Sequence, residues 1–153
     1  MYSNELVCDI LEYINKNINQ EITINLLSNM FYYDKTYIMK RFKKEIGISI
    51  FDYINRVKVF NSLPFYYYDN YILSIALNNG FNSIEYYSEI FKKIMGVNPK
   101  KYKYFINRSR FIKDKEIDLI IKRVDDLNNL DMFIKKYLLN RKPKMVMILS
   151  KKK

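Results

Sequence analysis

Phe42-Lys43-Lys44-Glu45-Ile46-Gly47 is followed 49 residues later by Phe91-Lys92-Lys93-Ile94-Met95-Gly96, and Tyr53 and Tyr102 keep the same offset. One supersecondary unit is therefore written twice in the chain. Each copy closes on Lys-Lys-x-x-Gly, where glycine takes the left-handed conformation that ends a helix at little steric cost. Two copies are too few for a solenoid, which needs about three stacked repeats to bury its core. A duplicated short helical unit fits a two-headed binding device better than an enzyme.

Working outward from Gly47, Asp34 is a suitable N-cap for a helix that reaches Ile46. Ile38 and Phe42 fall on its inner face. Thr36, Met39, Lys40 and Lys43 fall on the outer one, at the i, i+3, i+4, i+7 spacing of a helical stripe. Upstream, a short helix is predicted over about 24–31, burying Leu26, Leu27 and Met30. Before it, Leu6, Val7, Ile10, Leu11, Ile14 and Ile18 form an apolar stripe that Ser3 or Asn4 can cap. Downstream, a helix is predicted from about Ser49 towards Tyr66-Tyr67-Tyr68, with Pro64 kinking or ending it. Ile72 to Asn79 reads as a short helix stopped by Gly80. Ser83 caps the next helix, which Gly96 ends, and Asn98-Pro99 opens another.

Composition narrows the function. With 49% hydrophobic and 28% charged residues in 153, a packed core is expected, and three glycines and three prolines argue for helices over a turn-rich β fold. The absence of histidine excludes a His general base and a His-ligated zinc site, so neither a catalytic nor a metal centre is expected, nor a cofactor. Cys8, the single cysteine, sits among apolar helix positions and reads as a small buried hydrophobe. No stretch has the roughly 18 uncharged apolar residues of a membrane span, and the N-terminus lacks a secretory pattern, so the expected location is cytoplasmic.

The net charge of +11 invites a nucleic-acid partner, but it is unevenly spread: residues 1–47 are net neutral, 48–106 carry +3 and 107–153 carry +8. The tail holds an amphipathic stripe, Ile117, Ile120, Ile121, Val124 and Leu127, broken at Asn128-Asn129. A second stripe runs through Phe133, Ile134, Tyr137 and Leu138, and Met145–Leu149 reads as one candidate strand without a partner. A helix and one strand are too little to enclose a ligand pocket of about 300 Å³ or more. The tail is therefore an accessory basic arm or the start of a truncated effector domain.

Short helix, three-to-four-residue turn, longer helix occurs at about 24–47 and again at about 72–96, which is helix-turn-helix geometry. Tyr33-Asp34-Lys35 through Gly47, then Tyr53-Ile54, resembles the first helix-turn-helix of the AraC/XylS-type transcription regulators. Ile72, Ile75-Ala76, Gly80-Phe81, Phe91-Lys92-Lys93, Gly96, Pro99 and Tyr102 resemble the second. The resemblance covers about residues 5–106. It implies an all-α fold with two helix-turn-helix units joined by a central linker helix (about 49–66) in a DNA-binding domain of residues 1–106; the basic helical extension over 107–153 lies outside the resemblance and is read from its own residues. It further implies two recognition helices in adjacent major grooves, about 34–36 Å apart.

By position, the resemblance makes Thr36, Met39 and Lys40 base-reading residues of the first recognition helix, with Ile84, Glu85, Tyr86, Ser88 and Glu89 at the matching sites of the second. Lys35, Lys43, Lys44, Lys92 and Lys93 are phosphate-contact candidates. The sequence departs from the family pattern in four places: the acidic second stripe (Glu85, Ser88, Glu89, Lys92), Pro64 in the linker, a first turn without glycine, and Val57 at a common arginine position. Tyr66, Tyr67 and Tyr68 are expected to pack the seam between linker and second unit, hydroxyls at the rim, in preference to stacking on bases.

The expected function is a sequence-specific regulator of double-stranded DNA that recruits or blocks RNA polymerase. The alternative from another class is an interaction module whose acidic second unit docks a protein. A third reading makes the basic tail a membrane-surface arm.

Overall fold

The computed structural model describes the backbone of residues 2–68 and 71–151 and the side chains of residues 5–68 and 71–140. Among the described residues there is no strand. The helices are α1 (Tyr2–Lys16), α2 (Ile24–Phe31), α3 (Lys35–Ile46), α4 (Ile50–Ser62), a 3-10 turn at Leu63–Tyr67, α5 (Ile72–Asn78), α6 (Ile84–Met95), α7 (Pro99–Ile106) and α8 (Asp114–Lys151). The chain divides into two compact units. The first holds α1, α2, α3 and α8 from Asn129 onward. The second holds Ile18–Glu21, α4 from Phe51 onward, the 3-10 turn, α5 to α7, and α8 up to Asn128.

In the first unit, α3 packs against both α1 and α2. Val7, Ile10, Leu11 and Ile14 of α1, Leu27 of α2, and Ile38 and Phe42 of α3 are fully buried, and Ile134 of α8 belongs to the same unit. Cys8 is buried, as expected, and its thiol interacts with Tyr137 of α8. Burial pushes the Tyr137 phenol of α8 up to about 12, with Cys8, Glu45 and Arg41 as its electrostatic neighbours. The expected burial of Leu26 and Met30 is corrected: Leu26 is only partly covered and Met30 is 40% exposed. An eight-residue helix makes only about two turns, and its cover centres on Leu27.

The second unit is built around α6, whose Tyr87, Phe91, Ile94 and Met95 are buried. Val59, Leu63, Tyr66, Ile75, Phe81 and Tyr102 close around them, and α8 adds Ile120 and Leu127. Aromatic edges organise this core: Tyr66 meets Tyr102, and Phe81 meets Tyr87, each with ring centroids 4.9 Å apart in an edge-on arrangement. Such pairs add about 0.5–1.5 kcal/mol beyond their buried area.

Pro64 acts as expected, since α4 stops at Ser62 and gives way to the tighter 3-10 turn. The tyrosine run divides. Tyr66 is buried with its hydroxyl inside the core and not at a rim, whereas Tyr67 and Tyr68 are each 72% exposed. Consecutive residues of a 3-10 turn point about 120° apart, so one tyrosine can face inward while its neighbours face water.

Two expectations for the tail are corrected. The helix does not break at Asn128-Asn129, because both side chains are exposed and each asparagine costs at most about 0.7 kcal/mol in a helix. Nor is Met145–Leu149 a strand, since α8 runs through it to Lys151. A lone strand leaves its backbone groups unpaired, and a helix satisfies them within itself.

Candidate nucleic-acid interface

Each helix-turn-helix is set by matching local devices. In the first, Thr23 caps α2 by accepting from the Leu26 amide (3.1 Å), and Asp34 Oδ2 accepts from the Thr36 amide (3.0 Å) to start α3. In the second, Ser83 Oγ accepts from the Tyr86 amide (3.1 Å) to start α6. Both longer helices have 12 residues and end on a left-handed glycine: Gly47, whose amide donates to Lys43 O, and Gly96, whose amide donates to Lys92 O, each at 2.8 Å. The duplication seen in the sequence is thus a duplication of cap, length and stop.

The first turn is made without glycine. Tyr32 occupies the left-handed region at φ 59° with its side chain 91% exposed, and Ser28 Oγ donates to Tyr33 O at 2.6 Å, tying the turn to α2. A non-glycine residue there carries about 1–2 kcal/mol of strain.

The outward face of α3 follows the spacing. Lys35, Thr36, Met39, Lys40, Lys43 and Lys44 are all exposed, while Ile38, Phe42 and Ile46 are buried beneath them. Arg41 lies to one side, held by Glu45 at 2.7 Å. On α6, Glu85, Tyr86, Glu89, Lys92 and Lys93 are exposed and Ile84 and Ser88 are half-buried. Among the described residues neither Glu85 nor Glu89 has an ion-pair partner. The two faces therefore differ in charge: α3 presents cations and a hydroxyl, α6 carboxylates first and lysines only near its end.

Sequence reasoning missed an aromatic pair at the start of α3. Tyr33 and Tyr37 stack with centroids 5.2 Å apart and planes 15° apart, and both stay nearly half exposed. Their i, i+4 spacing was the available signal. The cations beside Val57 also prove to be engaged. Arg56 Nε donates to Asp52 at 3.0 Å, and Lys58 Nζ donates to the Gly80 carbonyl at 3.0 Å, with its ammonium 5.6 Å from the Phe81 ring centroid. Burial lowers the Lys58 pKa, partly opposed by Glu21. Lys58 thus secures the end of α5 against α4 and leaves no free ammonium on the surface.

No protein-family model matches the chain. It is 30% identical over 103 residues to the transcriptional regulatory protein HptR of Staphylococcus aureus, a stretch covering 66% of this chain and 40% of HptR. The chain thus spans about 40% of the length of such relatives. Its fold is similar to the C-terminal domain of AraT, a response regulator from Geobacillus stearothermophilus (TM-score 0.61, 26% identity, 71% of this chain and 88% of that one). It also has the fold of the DNA-binding domain of AdpA, a global transcriptional factor solved with a target DNA (TM-score 0.59, 16% identity, 67% and 95%). No helix among the described residues is long and apolar enough to cross a membrane. By sequence and by fold, this chain carries the AraC-type double helix-turn-helix of transcription regulators.

Proposed function

We propose that the chain binds double-stranded DNA through α3 and α6 and regulates transcription by recruiting or blocking RNA polymerase in the cytoplasm. The observation that carries this reading is the α3 face: six exposed side chains, four of them lysines, on a helix whose cap, length and glycine stop recur in α6. On α3, Lys40 reads guanine O6 or N7, Thr36 and Met39 contact neighbouring base edges, and Lys35, Lys43 and Lys44 neutralise phosphates. The exposed phenols of Tyr33 and Tyr37 flank the same helix and offer hydroxyls to phosphate or sugar. The mechanism is non-covalent, with lysines giving affinity and the outward side chains giving sequence preference.

On α6, Glu85 or Glu89 accepts from a cytosine N4 amine, Ile84, Tyr86 and Ser88 complete the base-facing set, and Lys92 and Lys93 hold phosphate. Carboxylates near a phosphate-lined groove are repelled unless such a donor is present. The first unit accordingly supplies most of the affinity and the second a narrow base preference. Selection of a binding sequence from random duplexes, followed by footprinting, tests this directly. Two protected major-groove segments about one helical turn apart, 34–36 Å, are expected. A single protected segment contradicts engagement of both helices. The α6 carboxylates, without an ion-pair partner among the described residues, also favour a second reading, in which that face docks a basic surface of a protein partner.

A further inference from the structure

The end of α7 carries a cavity of about 400 Å³ in the second unit. Its apolar wall comes from Phe105, Ile106, Ile112 and Ile117, with Tyr67 at one side. Arg108 and Ser109 supply the polar side of the lining, and no carboxylate lines it among the described residues. The tail alone was expected to be too small to enclose such a space. Here α7, the 3-10 turn and the start of α8 together line it, and it stays half open to solvent. Arg108 is exposed and, among the described residues, has no ion-pair partner. Ser109 Oγ accepts from the Phe111 amide at 3.2 Å, which leaves its hydroxyl proton to donate elsewhere.

The backbone at this place gives independent support. The Ser109 amide donates to Tyr104 O (2.8 Å) and the Arg108 amide to Phe105 O (3.2 Å), the two bonds of a Schellman helix end. The central residue of that motif is left-handed and is usually glycine, yet here it is Arg108, at φ 52°. A strained residue that brings a guanidinium with no ion-pair partner among the described residues to an apolar cavity is a pointer to function. The volume lies within the roughly 300–1,000 Å³ of small-molecule sites, which are mostly apolar with a few convergent polar groups.

From this we propose that the cavity binds a small amphipathic monocarboxylate. Its carboxylate pairs with the Arg108 guanidinium and accepts from Ser109 Oγ, and its hydrocarbon body lies against Phe105, Ile106, Ile112 and Ile117. The site is independent of the DNA-binding reading.

Octanoate is the probe, with octanol as its uncharged match, titrated into the full chain and followed by amide and methyl NMR shifts. Octanoate is expected to shift the Arg108 and Ser109 amides and the Ile106, Ile112 and Ile117 methyls saturably, with octanol at least tenfold weaker. Arg108→Gly relieves the left-handed strain, so it is expected to raise Tm while weakening octanoate at least tenfold. That pairing separates loss of the site from loss of the fold. Equal binding of octanoate and octanol, no saturable shift, or full octanoate affinity in Arg108→Gly overturns the proposal. So does an Arg108→Gly variant that loses DNA affinity and keeps octanoate, which would make Arg108 a phosphate contact.

Discussion

Ser62 Oγ and Tyr87 OH, 25 residues apart, lie 2.9 Å from each other inside the second unit and join the linker helix to the proposed second recognition helix. Their hydrogens can be ordered. Ser62 donates to the Val59 carbonyl at 2.6 Å, so it accepts from Tyr87, and Tyr87 in turn accepts from Tyr66 at 2.6 Å. The chain Tyr66, Tyr87, Ser62, Val59 satisfies three buried hydroxyls with one carbonyl. Tyr87→Phe leaves Tyr66 without an acceptor and is expected to cost about 1–3 kcal/mol in urea unfolding at neutral pH.

The same chain sets an alkaline limit. Burial pushes the Tyr87 phenol up to about 12 and raises Tyr66 further, beyond its ordinary value near 10. A raised folded-state pKa means stability that is fully present below about pH 10 and lost as pH climbs through the folded value. Denaturant midpoints taken from pH 8 to 11.5 are expected to fall steeply above pH 10. In Tyr87→Phe the fall is expected to be shallower.

The two glycines of the repeat are not equivalent. A Cβ on Gly47 meets nothing within 4 Å, whereas on Gly96 it meets Leu119 Cδ2 at 2.5 Å. Both have positive φ, so alanine costs about 1–2 kcal/mol at either. At Gly96 the half-buried Leu119 side chain must also move off its rotamer, adding about 0.5–1.5 kcal/mol. Thermal melts of Gly47→Ala and Gly96→Ala should therefore separate clearly, and Leu119→Ala should restore part of the difference.

Tyr32→Gly tests the strain in the first turn. The side chain is almost wholly exposed and its φ is 59°, so glycine is expected to raise stability by about 1 kcal/mol, read from the urea midpoint. No gain, or a loss, would mean that the exposed ring contributes contacts that offset the strain.

Much of this was legible in the sequence because local chemistry decided it. Asp34, Ser83, Asn98, Gly47, Gly96 and Pro64 act within a turn of where they stand, and each sits at the helix boundary that its chemistry predicts. The outward stripe of α3 was legible because Ile38 and Phe42 fix which face is buried. Long-range partners were not. Nothing in a one-dimensional pattern pairs Lys58 with the Gly80 carbonyl, or sets Leu119 against Gly96. The end of the tail was misread because Met145–Leu149 has the apolar run of a strand, and such short runs do not distinguish strand from helix by periodicity.

The role of α6 rests on two carboxylates. Glu85→Lys with Glu89→Lys reverses both charges at exposed positions, so the fold is expected to persist, with a loss of about 0.3–1 kcal/mol from Glu85 in the first turn of α6. If α6 lies in a groove, affinity for the selected duplex changes by at least tenfold and the preferred bases shift, which a repeat selection will show. Unchanged affinity and preference place that helix outside the groove and favour protein docking.

The most direct test of the central claim is a salt titration of binding to the selected duplex, comparing the unmodified chain with Lys40→Ala and Lys43→Ala. Each neutralised phosphate contributes a slope of about −0.9 in log K against log salt. Lys43→Ala is predicted to weaken all duplexes alike and to make the slope shallower by about one contact, whereas Lys40→Ala relaxes preference for guanine at one position. Binding indifferent both to salt and to these two substitutions would contradict the account.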